Sequence, residues 1–176
     1  MDNITNRSLI VLTCVFVFCI ACSTGDAQKN SAPDPPKATA TPSKSFTPAD
    51  VAKLKWIEGT WRGMDGDKPF YERYRIEGTA MIVEGLKEDG STDGEPGRFE
   101  LKNGEFGKGD GEKRSAASEI TDTFIQFVPA VPGKGNNFRF ERQSDGTWMA
   151  ILEWPATADK PARGKVYKME PWQPKK

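Results

Sequence analysis

Histidine is absent from this 176-residue chain, and cysteine occurs only three times, at positions 14, 19 and 22. Without imidazole the chain cannot build a Ser-His-Asp or Cys-His catalytic arrangement, and it lacks the usual protein ligand of zinc and of haem iron. Because no cysteine follows residue 22, a domain in the remaining sequence has no disulfide and no thiolate metal site. We therefore expect no cofactor, no metal and no enzymatic activity.

The chain also lacks an excess of charge of either sign. Its 25 lysines and arginines balance 25 aspartates and glutamates, and they form no long basic cluster. A balanced chain of this kind is a poor candidate for binding nucleic acid. No Gly-rich loop follows a predicted strand and opens a helix, so nucleotide binding has no support.

A short apolar run near the start is the most informative feature that is present. The run from Leu9 to Ala21 follows Arg7 and ends directly before Cys22. A cationic start, a short apolar core and a small residue before the cut are typical of a secretory signal. A cysteine after that small residue resembles a bacterial lipoprotein box, in which the thiol is acylated and becomes the mature N-terminus. The run is shorter than the roughly 20 apolar residues that span a bilayer.

We therefore predict a lipoprotein signal peptide at 1–21, a lipid on Cys22 and an anchor in a membrane of the bacterial cell envelope. Ser23 is not a retention signal, which favours the outer membrane in a Gram-negative source. The alternatives are a secreted protein without lipid and an uncleaved membrane anchor.

The next segment, 22–45, is rich in Pro, Ala, Ser and Thr and has no large apolar residue. Such a composition cannot bury enough surface to offset the entropy of ordering, so it predicts a disordered tether. Thr47, Pro48 and Asp50 then form a helix start, with a cap, a proline in the first turn and an acid beside the positive helix end. The remaining length fits one domain, at 46–176.

Two-residue alternation dominates beyond Trp56. Short β-prone runs near 70–76, 80–86, 99–102, 123–128, 138–142, 148–154 and 165–169 are separated by turn residues, among them Asn103-Gly104, which favours a tight hairpin turn. Such spacing indicates an antiparallel sandwich or barrel. We predict an all-β fold: an antiparallel up-and-down barrel of eight to ten strands with a short N-terminal helix.

The segment from Leu54 to Gly63, Leu-Lys-Trp-Ile-Glu-Gly-Thr-Trp-Arg-Gly, resembles the opening of the calycin-like (lipocalin- and nitrobindin-like) barrels. It is most similar to uncharacterised bacterial envelope proteins that begin Leu-x-Trp-Leu-x-Gly-x-Trp-x-Gly. Phe70 to Tyr74, Met81 to Val83 and Asp145 to Trp148 resemble later elements of that group. The resemblance implies a barrel with a possible cavity. Asn136 to Arg139 stands where those relatives often carry His-Asp-Phe-Pro, and the missing histidine argues against haem.

The resemblance implies structural roles for two residues of the first motif. Gly59 would let neighbouring strands approach closely, and Trp61 would plug one end of the barrel. Trp148 is a candidate for contact with a ligand. The alternative interpretation is that it is a structural aromatic residue of the core or of the barrel rim.

Carboxylates on apolar strand faces are the other candidates. Alternation places Glu72 on one face with Phe70 and Tyr74, and it places Glu84 with Ile82 and Leu86. If these faces point inward, both carboxylates need partners, because an unpaired buried charge is costly. Arg142, beyond Phe138 and Phe140 on one face, is a candidate partner.

Two interpretations of these residues remain open at this point. They form a buried ion pair or lie at the barrel mouth, or they anchor a ligand at the base of a cavity. If Glu72 has a cationic partner, Glu72→Gln would lower the free energy of unfolding by roughly 3 to 5 kcal/mol. If Glu72 anchors a ligand, the same change would spare the fold and weaken binding.

Two classes of function follow. One is a non-enzymatic lipoprotein whose barrel binds a small, partly apolar ligand in the cell envelope. The other is a structural or protein-interaction lipoprotein whose barrel is filled by its own side chains, because small barrels are just wide enough for either. A cavity larger than about 300 Å³ would favour binding. The sequence does not indicate the oligomeric state.

We predict that Cys22→Ala abolishes metabolic labelling of the protein by a palmitate analogue, because the acylated thiol is then absent. The measurement is in-gel detection of the incorporated analogue in cells that express either chain at equal level. Undiminished labelling of the variant would exclude Cys22 as the lipidated residue.

Overall fold

The computed structural model describes residues 44–174, and ten antiparallel strands follow one another through this segment. Each strand pairs with its neighbours in sequence, and β1 pairs with β10 to close a barrel. The prediction of an all-β up-and-down barrel with a short N-terminal helix is confirmed. The strands are β1 Gly59–Asp65, β2 Lys68–Glu77, β3 Ala80–Leu86, β4 Gly97–Lys102, β5 Glu105–Lys108, β6 Ser115–Ile120, β7 Phe124–Pro129, β8 Asn137–Arg142, β9 Trp148–Trp154 and β10 Arg163–Pro171.

Several predictions fall on other parts of the chain. The signal peptide, Cys22 and the tether up to residue 43 lie outside the described residues. Within 44–174, no helix is long and apolar enough to cross a membrane.

A short helical segment precedes the barrel. Helix α1, Pro48–Ala52, continues into a 3-10 helix at Lys53–Ile57. As predicted, Thr47 caps α1: its Oγ1 accepts from the backbone N–H of Asp50, and the Asp50 carboxylate accepts from the Thr47 N–H at 2.9 Å. Four early N–H groups of a helix lack internal partners, and this capping box satisfies two donors at the helix start.

This helical segment closes one end of the barrel. Val51, Leu54 and Ile57 are fully buried and pack with Trp61 in one continuous core. The Trp61 indole N–H donates to the Ile57 carbonyl at 2.8 Å, and its ring meets the edge of Trp148 at a centroid distance of 6.0 Å. The buried indole therefore keeps a hydrogen-bond partner while its ring fills the barrel end, which we call the closed end.

Gly59, at the start of β1, is required by the backbone. Its φ of +133° lies in a region that side chains disfavour, whereas a Cβ there would meet only ordinary contacts with the Trp61 ring. The reason for this glycine is thus conformational, and not the close approach of strands that the resemblance implies. Asn103 and Gly104, with φ of 53° and 78°, form the tight turn between β4 and β5 that the sequence predicts.

β1 corresponds to the opening motif of the resemblance, whereas β5 and β6 are not among the β-prone runs of the sequence. β5 has only four residues, and β6 reads Ser-Ala-Ala-Ser-Glu-Ile, a composition with little β-propensity. A register shift between Ala117 and Glu119 also breaks the alternation in β6. Tertiary pairing with β5 and β7, and not local preference, makes this segment a strand.

We predict that Leu54→Ala lowers the free energy of unfolding by roughly 2 to 5 kcal/mol, the usual range for removing a fully buried leucine side chain. Lys55→Ala, one residue further along and exposed, should change it by less than about 0.5 kcal/mol. Urea unfolding of the full chain measures both. Equal effects of the two substitutions would mean that the helical segment does not pack into the barrel end.

Candidate functional site

The barrel interior contains a cavity that opens away from the closed end. Its volume is about 720 Å³, within the range of roughly 300 to 1,000 Å³ that is usual for small-molecule sites. Large side chains such as Trp148, Phe106 and Phe127 are fully buried and fill the barrel toward the closed end. The hairpin between β1 and β2, at Asp65 and Lys68, lies at the other end, which we call the mouth.

Aromatic and aliphatic side chains form most of the cavity wall. They come from six of the ten strands and are Phe70, Tyr74, Val83, Phe99, Phe138, Phe140, Leu152, Tyr167 and Met169. Phe70 meets Tyr167 edge to face at 5.1 Å between ring centroids, and Phe138 stacks on Phe127 at 4.5 Å. Such contacts fix the rings in place and add to their hydrophobic burial. The wall therefore suits an apolar body of small size.

One carboxylate interrupts this apolar wall. Glu72 lies on β2 between Phe70 and Tyr74, and the two-residue period of the strand directs all three side chains into the barrel. The Tyr74 hydroxyl donates to Glu72 Oε2 at 2.8 Å. Tyr74 itself is 3% exposed and packs against Phe140 and Trp148. A rigid, buried hydroxyl thus holds the carboxylate in one orientation.

The protonation equilibria of this pair are both displaced. Burial raises the pKa of Glu72, and the Tyr74 hydrogen bond and the charge of Lys108 partly oppose that rise. Burial, together with the neighbouring Glu72 carboxylate, raises the pKa of Tyr74 well above 10. Tyr74 therefore remains a hydrogen-bond donor at neutral pH, whereas Glu72 holds its proton more tightly than an exposed glutamate does.

Lysines surround the mouth of the cavity. Lys68 and Lys108 contribute to its lining, and Lys165 forms an ion pair with Asp65 at 2.6 Å. Lys108 Nζ also lies 4.8 Å from the centroid of the Phe99 ring, and Lys165 Nζ lies 5.0 Å from that of Tyr167. These distances are within cation–π range. The cavity thus combines apolar walls, one inner carboxylate and a basic rim.

Glu84 does not join Glu72 in the cavity. On β3 the side chain of Val83 faces inward and Gly85 also lines the cavity, so Glu84 between them faces outward. Its Oε2 lies 2.8 Å from Arg75 Nη1 and 3.7 Å from Arg73 Nε, on the outer face of β2. The expectation that Glu84 points into the barrel is wrong, because its strand phase with Ile82 and Leu86 is the outer one. Ile82 and Leu86 are nevertheless buried, which made that face resemble an inner one.

Arg142 is not the partner of Glu72. It lies at the end of β8, in register with Trp148, and its side chain is exposed near the closed end. The backbone N–H of Arg142 donates to the Thr123 carbonyl at 2.8 Å, which places it in the turn region away from the mouth. Arg142 lies on the same face of β8 as Phe138 and Phe140, as predicted. It is further along the strand, beyond the part of β8 that lines the cavity.

The structure brings together only part of the predicted site. Glu72 and Tyr74 line the cavity, whereas Trp148 lies beneath Tyr74 as a core residue that is 1% exposed. Residues that the sequence did not single out complete the site, chiefly Phe70, Tyr167 and Lys108. Alternation placed Phe70 on the face of Glu72, although it was not named as a site residue. Lys108 lies on β5, which is not among the predicted β-prone runs.

The arrangement suits binding, because apolar walls surround one carboxylate that a buried hydroxyl holds in place. Within residues 44–174 no three acidic side chains cluster as metal ligands would, and Glu72 has a hydroxyl neighbour in place of a second carboxylate.

No protein-family model matches the chain, and neither a curated protein nor a solved structure matches it. The cavity itself is therefore the main indication of function.

We predict that Glu72→Gln does not destabilise the protein near pH 7, because the partner is a neutral hydroxyl and a glutamine Oε1 can accept the same hydrogen bond. The raised pKa means that ionising Glu72 weakens the folded state as the pH rises from its ordinary value of 4.5 through the folded value. Residue 72 of the variant cannot ionise. The free energy of unfolding of the variant should therefore rise relative to that of the natural chain across this pH range, and the two should be equal at lower pH.

Urea unfolding of both chains at several pH values measures this difference. Glu88→Gln, an exposed turn residue, should show no such dependence. A loss of about 3 kcal/mol or more in Glu72→Gln would instead indicate a cationic partner for the carboxylate.

Proposed function

We propose that this protein is a non-enzymatic bacterial lipoprotein whose barrel binds a small, partly apolar ligand in the cell envelope. The observation that carries the proposal is a cavity of about 720 Å³ with an apolar wall and one fixed polar pair. Ligand sites typically combine mostly hydrophobic lining with a few convergent polar groups that set orientation. The pair formed by Glu72 and Tyr74 has this character.

The alternative, a structural or protein-interaction lipoprotein with a packed barrel, requires an interior filled by its own side chains. The cavity weighs against it, since residues of nine of the ten strands line the space, which is therefore not a local packing defect. Natural interiors hold few voids larger than a water molecule.

The anchoring part of the proposal has its support in the sequence alone. The apolar run, the small residue and Cys22 indicate lipidation, and Ser23 favours the outer membrane. The tether would then hold the binding domain away from the membrane surface, facing the aqueous space from which a small ligand would enter.

We predict that the full chain in lipid nanodiscs enhances the fluorescence of N-phenyl-1-naphthylamine, a neutral apolar probe, beyond the signal of empty nanodiscs. Leu152→Trp should weaken this binding about tenfold or more, corresponding to roughly 1.4 kcal/mol, because the larger side chain occupies the cavity. Ile151→Trp, on the outer face of the same strand in register with exposed Val166, is the matched control. No probe binding, or equal weakening by both variants, would contradict the proposal.

A further inference from the structure

The carboxylate inside the cavity has one occupied oxygen and one that is available. Oε2 of Glu72 accepts from Tyr74 at 2.8 Å. Among residues 44–174, no side chain or backbone group donates to Oε1, and no lysine or arginine forms an ion pair with this carboxylate. A carboxylate can accept several hydrogen bonds. The cavity therefore presents an acceptor that a ligand can use.

This acceptor limits which end of an apolar ligand can enter first. A hydrocarbon tail that filled the depth of the cavity would cover Glu72 and leave its polar oxygen without a partner, which is costly. A ligand carboxylate at the same place would meet a like charge. The leading group of a well-fitting ligand must be a hydrogen-bond donor.

The surrounding rings favour a charged donor over a neutral one. Two rings of the cavity wall already lie beneath lysine ammonium groups, Phe99 beneath Lys108 and Tyr167 beneath Lys165. An ammonium group beside Glu72 would also be attracted to ring faces. Its hydrogen bond to a carboxylate would be charge-assisted, and such bonds are roughly twice as strong as neutral ones.

We propose that the natural ligand is a small organic amine with a compact apolar body, and that its ammonium group donates to Oε1 of Glu72. The body then packs among Phe70, Phe138 and Tyr167. This inference rests on the proposed function and adds to it the chemical class of the ligand.

The lysines at the mouth modulate this recognition. Lys68 and Lys108 are exposed, so salt screens their repulsion of an entering cation over about 8 to 10 Å. Lys108 nevertheless acts on Glu72 through its charge. It therefore competes with a ligand ammonium, and its removal should strengthen the binding of an amine.

Three probes with one apolar body test the inference: 2-phenylethylamine, 2-phenylethanol and phenylacetate, titrated calorimetrically into the full chain in nanodiscs at about pH 7, where the amine is protonated. The amine should bind about tenfold or more tightly than the alcohol, and phenylacetate most weakly. Glu72→Gln should remove the preference for the amine and preserve binding of the alcohol. Lys108→Gln should increase the affinity for the amine, and Glu88→Gln should change nothing.

The possible outcomes separate this inference from the proposed function. If the alcohol or phenylacetate binds as tightly as the amine, or if Glu72→Gln keeps the preference, the amine assignment is overturned while apolar binding stands. The amine assignment is also overturned if none of the three probes binds although N-phenyl-1-naphthylamine does. If that neutral probe fails as well, the proposed function is overturned with it.

Discussion

The number of strands is the constraint on which the rest of this structure depends. Barrel diameter grows with strand number, and an interior of eight strands is just wide enough for side chains to fill. Ten strands enclose more space than that. At one end the helical segment and Trp61 occupy the surplus. Toward the mouth no element of residues 44–174 plays this part, and Gly85 and Gly97 add no side chain to the lining. The cavity is thus a direct result of the strand count.

A carboxylate inside the cavity is unfavourable for stability when it is ionised, because it is buried. The fold itself does not require a charged group there. Glutamine at position 72 would keep the Tyr74 hydrogen bond without any charge, and an aliphatic residue would continue the apolar wall. Perturbed titratable groups in clefts cluster at functional sites, because the perturbation reflects an environment adapted to a task. Glu84 differs from Glu72 in this respect. Its carboxylate lies on the outer face between two arginines, which is a purely structural setting.

The sequence predicted the class of fold, the capped helix and the turn at Asn103-Gly104, because each of these follows from local rules of period, capping and turn conformation. It also placed Glu72 and Tyr74 on one face. It did not predict β6, whose alanines and serines become a strand only through pairing with neighbours. Nor could it choose the inner face of β3, since Ile82 and Leu86 are buried on the outside. Arg142 shows a third limit: alternation gives the face of a strand but not the depth along the barrel.

The pairing of the strands also divides the barrel into two parts. β1 with β10, and β5 with β6, each share only two register pairs, whereas every other neighbouring pair shares between three and seven. In the ring of ten strands these two seams lie opposite each other, so β1–β5 and β6–β10 form two leaves of five strands. Side chains reinforce the first seam through Arg62–Glu170 and Lys165–Asp65. At the second seam, Arg114, directly before β6, forms an ion pair with Glu105 of β5, and Lys108 and Ser115 belong to the cavity lining. Separating the two leaves beside the cavity, between β5 and β6, therefore breaks fewer register pairs than opening the wall between any two strands within a leaf.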